Sequence, residues 1–272
     1  MKDETTVTLD FRKIRGVVMD VDGVLWRGDE PISGAAEFIA FLQSRGIPFA
    51  LATNNSNKSP EDYQIKLEAL KLGQLDVDQI VTSGRATASY MKQHYPAGTR
   101  IHVLGGDGLR LLMQRAGMIL TDEPPCAAVV VGIDFSLNYE KVRKANALVR
   151  GGADFIGTNA DATFPMPDGP APGAGSILAM LATASGKKPV VIGKPNAAMY
   201  QAALDVIGTT ADETLMVGDR IDTDIDGAQA LGLKGALVLT GVSTRAEAEA
   251  AQRPPDIVIN SLNELISQWQ QA

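Results

Sequence analysis

Apolar residues fall into short runs that alternate along the chain with stretches of helical period. Gly16–Asp20 (GVVMD), Pro48–Thr53 (PFALAT) and Gln79–Ser83 read as strands near the start, and Gly34–Arg45 as a helix. That helix carries Phe38, Ile39, Phe41 and Leu42 on one side and stops at Gly46. Ser59-Pro60-Glu61-Asp62 reads as an N-cap, a proline at the first helical position and an acid at the third, opening a helix to about Leu72. Near the end, Val190–Lys194 (VVIGK), Leu215–Asp219 (LMVGD), Gly235–Thr240 (GALVLT) and Asp256–Asn260 (DIVIN) repeat the strand pattern, with helices opening at Asn196 and near Thr223. Strands alternating with helices predict a parallel sheet covered by helices.

The middle of the chain has its own rhythm. Ile101–Leu104, Val129–Val131 and Phe155–Gly157 read as strands, and Leu109–Arg115 and Tyr139–Val149 as helices. A proline- and glycine-rich stretch, Pro165–Gly175, then leads into another helix. The simplest organisation is a discontinuous domain, 1–87 with 188–272, into which a second α/β domain, 88–187, is inserted.

Composition narrows the functions. The chain has 272 residues, 45 % of them hydrophobic, and a formal net charge of −7. An acidic chain has no general attraction for nucleic acid or an anionic membrane, so neither is expected as a partner. Cys126 is the only cysteine, which rules out an intrachain disulfide and a thiolate zinc cluster. His94 and His102 are too few for a histidine-rich metal site and read as structural or surface residues. No apolar run reaches the roughly 18 residues of a membrane span, and the opening MKDETTVTLD is no signal peptide. A cytoplasmic location is the expectation, and a homo-oligomer is compatible with the sequence.

Four strands of the outer pattern end in polar residues: Asp20 followed by Val21-Asp22-Gly23, Thr53 followed by Asn54-Asn55, then Lys194 and Asp219. In an open parallel sheet the carboxyl ends of the strands form the ligand crevice, so these groups are expected to converge. Each has a plainer reading. Asp-X-Asp-Gly is also a turn or calcium-loop fragment, but position 12 of such a loop, which wants Glu, is Pro31. Asp222 and Asp226 fit acidic residues at a helix start. Gly105-Gly106-Asp107-Gly108 lacks the spacing of a dinucleotide-binding turn and reads as a tight strand-to-helix turn.

Together the blocks Asp20-Val21-Asp22-Gly23, Thr53-Asn54-Asn55-Ser56, Gly193-Lys194-Pro195 and Gly218-Asp219…Thr223-Asp224 resemble the motifs of the haloacid dehalogenase-like hydrolases. The long insert, with GTNAD and PGAGS inside it, is similar to that of the subfamily of NagD-type, para-nitrophenyl and phosphoglycolate phosphatases. The resemblance implies a Rossmann-like doubly wound parallel-sheet core with an inserted α/β cap domain. It implies an Mg²⁺-dependent phosphatase acting on a small phosphorylated metabolite, with Asp20 as nucleophile and Asp22 as general acid and base. Mg²⁺ would be held by Asp20, the carbonyl of Asp22 and Asp219, with Asp224 in support. Thr53, Asn54 and Lys194 would bind the phosphoryl group, while Asn159, Asp161 and the loop Thr163–Gly173 would meet the substrate from the cap. Haloalkanoate dehalogenases lack the acid at Asp22, which favours phosphoryl transfer. A mutase of the same superfamily and a non-catalytic phosphometabolite-binding module are the alternatives.

Overall fold

The computed structural model describes residues 9–166 and 169–272. The polar opening segment and the Pro167–Asp168 part of the Thr163–Gly173 loop lie outside the described residues. Packing divides the chain into two compact units. The first comprises Met1–Ala52, Tyr63–Ile80 and Tyr200–Ala272, and the second Thr53–Asp62 with Val81–Met199.

A six-stranded sheet runs in the order Ile257–Ile259, Lys234–Val238, Thr214–Gly218, Gly16–Met19, Phe49–Thr53, Ile80–Thr82. Gly16–Met19 is parallel to both neighbours, with Met19 opposite Val217 on one side and Leu51 on the other. Its residues, like those of Thr214–Gly218, are buried throughout, which explains the unbroken apolar runs in place of alternation. From this strand the chain builds outward in both directions. The switch point therefore lies between Gly16–Met19 and Thr214–Gly218, where a crevice opens at the carboxyl ends.

One large apolar cluster stabilises the first unit. Helix Ala35–Ser44 buries Phe38, Ile39, Phe41 and Leu42, as its period requires. The closing helix Leu262–Gln271 buries Leu262, Leu265 and Trp269, and the Trp269 ring meets Phe11, Phe41 and Phe38 with centroids 5.0, 5.8 and 6.4 Å away.

The second unit has its own five-stranded parallel sheet, in the order Val190–Val191, Asp154–Gly157, Ala128–Val131, Arg100–Leu104, Ile119–Leu120. Its core gathers Val129, Val131, Leu148, Phe155, Ile177 and Leu181. Two sequence expectations change here. The expected strand Val190–Lys194 shrinks to Val190–Val191 and pairs with Asp154–Gly157 in this sheet, not in the six-stranded one. An apolar run shows that a strand is buried but not which sheet buries it. The proline-rich stretch holds a hairpin, Thr163–Met166 against Gly169–Pro172, before helix Ala174–Ser185. Prolines are tolerated because each strand of a two-stranded ribbon has an open edge, where the missing N–H is not needed.

Candidate active site

Asp20 follows Gly16–Met19 directly, and Asp219 follows Thr214–Gly218. The ladder carries on past the strand, since the Asp20 N–H donates to the Val217 carbonyl at 2.9 Å. Both carboxylates therefore project at the switch point. A turn of π-helix, Ile221–Ile225, brings in a third, Asp224; such turns are frequent at functional sites. Oxygens of Asp20, Asp219 and Asp224 lie within 4.8 Å of one another, and the residues are 8 %, 1 % and 1 % exposed.

Three carboxylates this close and this deep repel one another, and burial strips the water that would screen them. A cation relieves both costs. The donors are all oxygen, which suits a small hard divalent ion and not a soft one. The cluster therefore fits a metal site.

The backbone around it is shaped to admit these side chains. Gly23 has φ +87°, and a Cβ there would stand 2.5 Å from Asp219 Oδ2. A Cβ on Gly241 would also run into the Asp219 carboxylate, and one on Gly218 into Asp224. The glycine of Asp-X-Asp-Gly thus serves the turn and the neighbouring acid together. The loop after Lys234–Val238 braces Asp219: Val242 N–H donates to its Oδ2 at 2.8 Å and Ser243 N–H to its carbonyl at 2.9 Å. Thr240 Oγ1 donates to the Gly23 carbonyl at 2.6 Å. Asp224 Oδ2 accepts from Arg220 N–H at 3.1 Å.

Asp22 stands apart from the carboxylate cluster and is exposed. Trp26 Nε1 donates to its Oδ1 at 3.0 Å, which fixes one of its oxygens. Asp222 and Asp226 are exposed, and Asp222 pairs with Arg220, in keeping with their reading as helix-start acids.

The other expected residues gather in the second unit. Thr53 is buried, and its Oγ1 accepts from Asn55 N–H at 3.2 Å. Asn54 Nδ2 donates to Asp161 Oδ1 and to the Lys194 carbonyl, each at 3.0 Å. The Asn54 carbonyl accepts from Ser83 Oγ at 2.6 Å and from Asn159 Nδ2 at 2.7 Å. Asn159 Oδ1 in turn accepts from Asp161 N–H at 3.1 Å. The loop carrying Thr53 and Asn54 thus packs in one compact unit with Asn159 and Asp161.

The discounted features keep their plain readings. Gly106 precedes helix Asp107–Arg115 in a tight turn, with its N–H on the Ile133 carbonyl. His102 is buried, with Nδ1 3.1 Å from the Thr121 carbonyl, and His94 stacks on Tyr90. Burial pushes the Cys126 thiol up, away from nucleophilic use. The Thr240–Ser243 brace was missed. Its signal was present in the sequence, because Thr240 closes a predicted strand and so belongs to the same crevice.

Comparison with known proteins agrees with this geometry. Residues 17–119 match the model of the haloacid dehalogenase-like hydrolases, and residues 191–265 match a second model of HAD-hydrolase-like proteins. The acid sugar phosphatase of Staphylococcus saprophyticus is 36 % identical over 258 residues, covering 95 % of this chain and 99 % of its own. NagD from E. coli K-12 superposes with a TM-score of 0.87 at 31 % identity, over 92 % of this chain and 98 % of its own. The 4-nitrophenylphosphatase of Thermotoga maritima gives 0.88 at 34 % identity, over 94 % and 98 %. A buried carboxylate trio at the switch point of a parallel sheet, the ordered motifs and these relatives agree: the chain belongs to the haloacid dehalogenase-like hydrolase family, on the branch of NagD and the nitrophenylphosphatases.

Proposed function

We propose that this enzyme, a phosphatase of that family, hydrolyses small phosphate monoesters through an aspartyl phosphate on Asp20, with Mg²⁺ as cofactor. The observation that carries the reading is the Asp20, Asp219 and Asp224 cluster. Asp20, Asp219 and the Asp22 carbonyl would hold the ion, with Asp224 supporting them. When bound, a divalent cation neutralises charge on phosphoryl oxygens and so lets an anionic carboxylate approach them.

The protein's own residues supply the remaining steps. Asp20 attacks phosphorus, and the bond from phosphorus to the leaving oxygen breaks. Asp22, steadied by Trp26, gives that oxygen a proton. The same carboxylate then takes a proton from water, whose oxygen attacks the aspartyl phosphate and restores Asp20. Thr53 and the Asn54 amide bind phosphoryl oxygens, and Lys194 balances their charge.

In this reading residues 1–87 and 188–272 perform the chemistry, and 88–187 act as a cap that selects the substrate. The name of the staphylococcal relatives supports a sugar phosphate. Among the described residues no helix is long and apolar enough to cross a membrane, and we retain the cytoplasm as the site of action. The test is hydrolysis of para-nitrophenyl phosphate and a panel of sugar phosphates by purified protein with and without Mg²⁺. Absence of phosphate release from every ester in the presence of Mg²⁺ would refute the reading.

A further inference from the structure

Asn159 and Asp161 have side-chain partners other than a leaving group. Asp161 Oδ1 accepts from Asn54 Nδ2, and the second proton of that amide goes to the Lys194 carbonyl. Two acceptors around one nitrogen also fix which end of the amide is which. Asn159 Nδ2 donates to the Asn54 carbonyl, and its Oδ1 receives the Asp161 N–H. Asn54 is thus held by its side chain and by its backbone at once. The clamp is closed on the third side by Gly193. Its N–H donates to the Thr158 carbonyl at 2.8 Å, and a Cβ there would stand 2.6 Å from Asn54 Oδ1 and 2.9 Å from Asn159 Cβ.

We propose that Asp161 is a positioning residue: it orients Asn54, and with it the Thr53–Asn54 loop and the Lys194 backbone, so that these groups present one fixed phosphate-binding geometry. Asn159 does the same from the backbone side. The inference rests on the phosphatase reading, in which Thr53, Asn54 and Lys194 bind phosphate, and it revises the expectation that Asn159 and Asp161 meet the leaving group. Three hydrogen bonds that order a loop before the ligand arrives lower the cost of ordering it on binding. A charged acceptor strengthens the central one.

The two roles differ in what they do to different substrates. A group touching the leaving portion discriminates between esters. A group that shapes the phosphate site affects every ester alike, and inorganic phosphate as well. The experiment compares wild type, Asp161→Ala and Asp161→Asn. It measures inorganic phosphate affinity by calorimetry, and kcat/KM for para-nitrophenyl phosphate and one sugar phosphate. Asp161→Ala is expected to weaken phosphate about tenfold and to lower both kcat/KM values by the same factor, the scale of one charge-assisted hydrogen bond. Asp161→Asn keeps an oxygen that can accept from Asn54, so all three quantities should stay within about threefold of wild type.

Unchanged phosphate affinity in Asp161→Ala, with a loss confined to the sugar phosphate, overturns the inference. So does an Asp161→Asn protein crippled on the sugar phosphate alone, and that comparison decides the matter if Asp161→Ala does not fold. If neither ester is hydrolysed by wild type, the phosphatase reading fails, while the phosphate titration still judges the clamp.

Discussion

Asp219 is held from both ends by one loop: Val242 N–H donates to its carboxylate at 2.8 Å, and Ser243 N–H to its carbonyl at 2.9 Å. A side chain fixed in this way cannot swing away from Asp20 and Asp224 when no cation is present. Bringing the trio together costs repulsion that a cation would offset. Asp219→Asn keeps an oxygen for Val242 and removes one charge. It should raise the melting temperature of the metal-free protein by a few degrees, on the scale of about 1 kcal/mol. The rise in melting temperature that Mg²⁺ gives the wild type should vanish. Calorimetric scans with EDTA and with Mg²⁺ test both halves, and an Asp219→Asn protein still stabilised by Mg²⁺ would remove Asp219 from the metal site.

Asp20→Asn tests the nucleophile. The amide has the shape of the carboxylate but attacks phosphorus poorly, so turnover should fall to background while the circular dichroism spectrum stays unchanged. Retention of more than a few per cent of wild-type kcat by repurified protein would sink the assignment.

Chelation should abolish para-nitrophenyl phosphate hydrolysis, and Mg²⁺ should restore it. Calcium should restore it poorly, because its larger and looser shell tolerates bidentate carboxylates and spoils the attack geometry of Asp20. Full rates in chelator, or equal rates with the two ions, contradict the proposal.

Away from the site, Asp134 predicts an acid-sensitive contribution to stability. Burial alone would raise its pKa, but Lys141 at 2.7 Å and the N–H and hydroxyl of Ser136 together hold it below the ordinary carboxylate range. A depressed native pKa means stabilisation that is present above the unfolded-state pKa and is lost as pH falls through the native value. The melting-temperature gap between wild type and Asp134→Asn should be widest near neutrality and shrink as pH falls below the ordinary carboxylate range. A gap that holds constant with pH would show that the change acts through packing instead.

Strand positions were legible because buried parallel strands are apolar from end to end; Gly16–Met19 and Thr214–Gly218 lie within a residue of the runs that announce them. The acids were legible from their place at strand ends. Val190–Val191 was harder, since its apolar run carries no label for its partner, and pairing with Asp154–Gly157 is a long-range choice. The hairpin at Thr163–Met166 was hidden by its prolines. The sequence could flag Asn54, Asn159 and Asp161 as polar groups near the chemistry, but not that they bond to one another, because that depends on two segments far apart in the chain meeting. Val242 acts through a backbone amide, which no residue type advertises.

The strand bearing Asp20 lies beside the strand that leads to Asp219, with Met19 opposite Val217, although the chain visits them far apart. During synthesis Asp20 is made long before Thr214–Gly218 and waits, without its neighbour, until that strand and the acids after it have emerged. Until then Asp20 lacks the partner acids that would hold a cation. A nascent chain arrested before Asp224, however much of it has folded, holds an unfinished trio. On the Mg²⁺ reading such a chain lacks a complete cation site, and it is expected to release no phosphate from an ester.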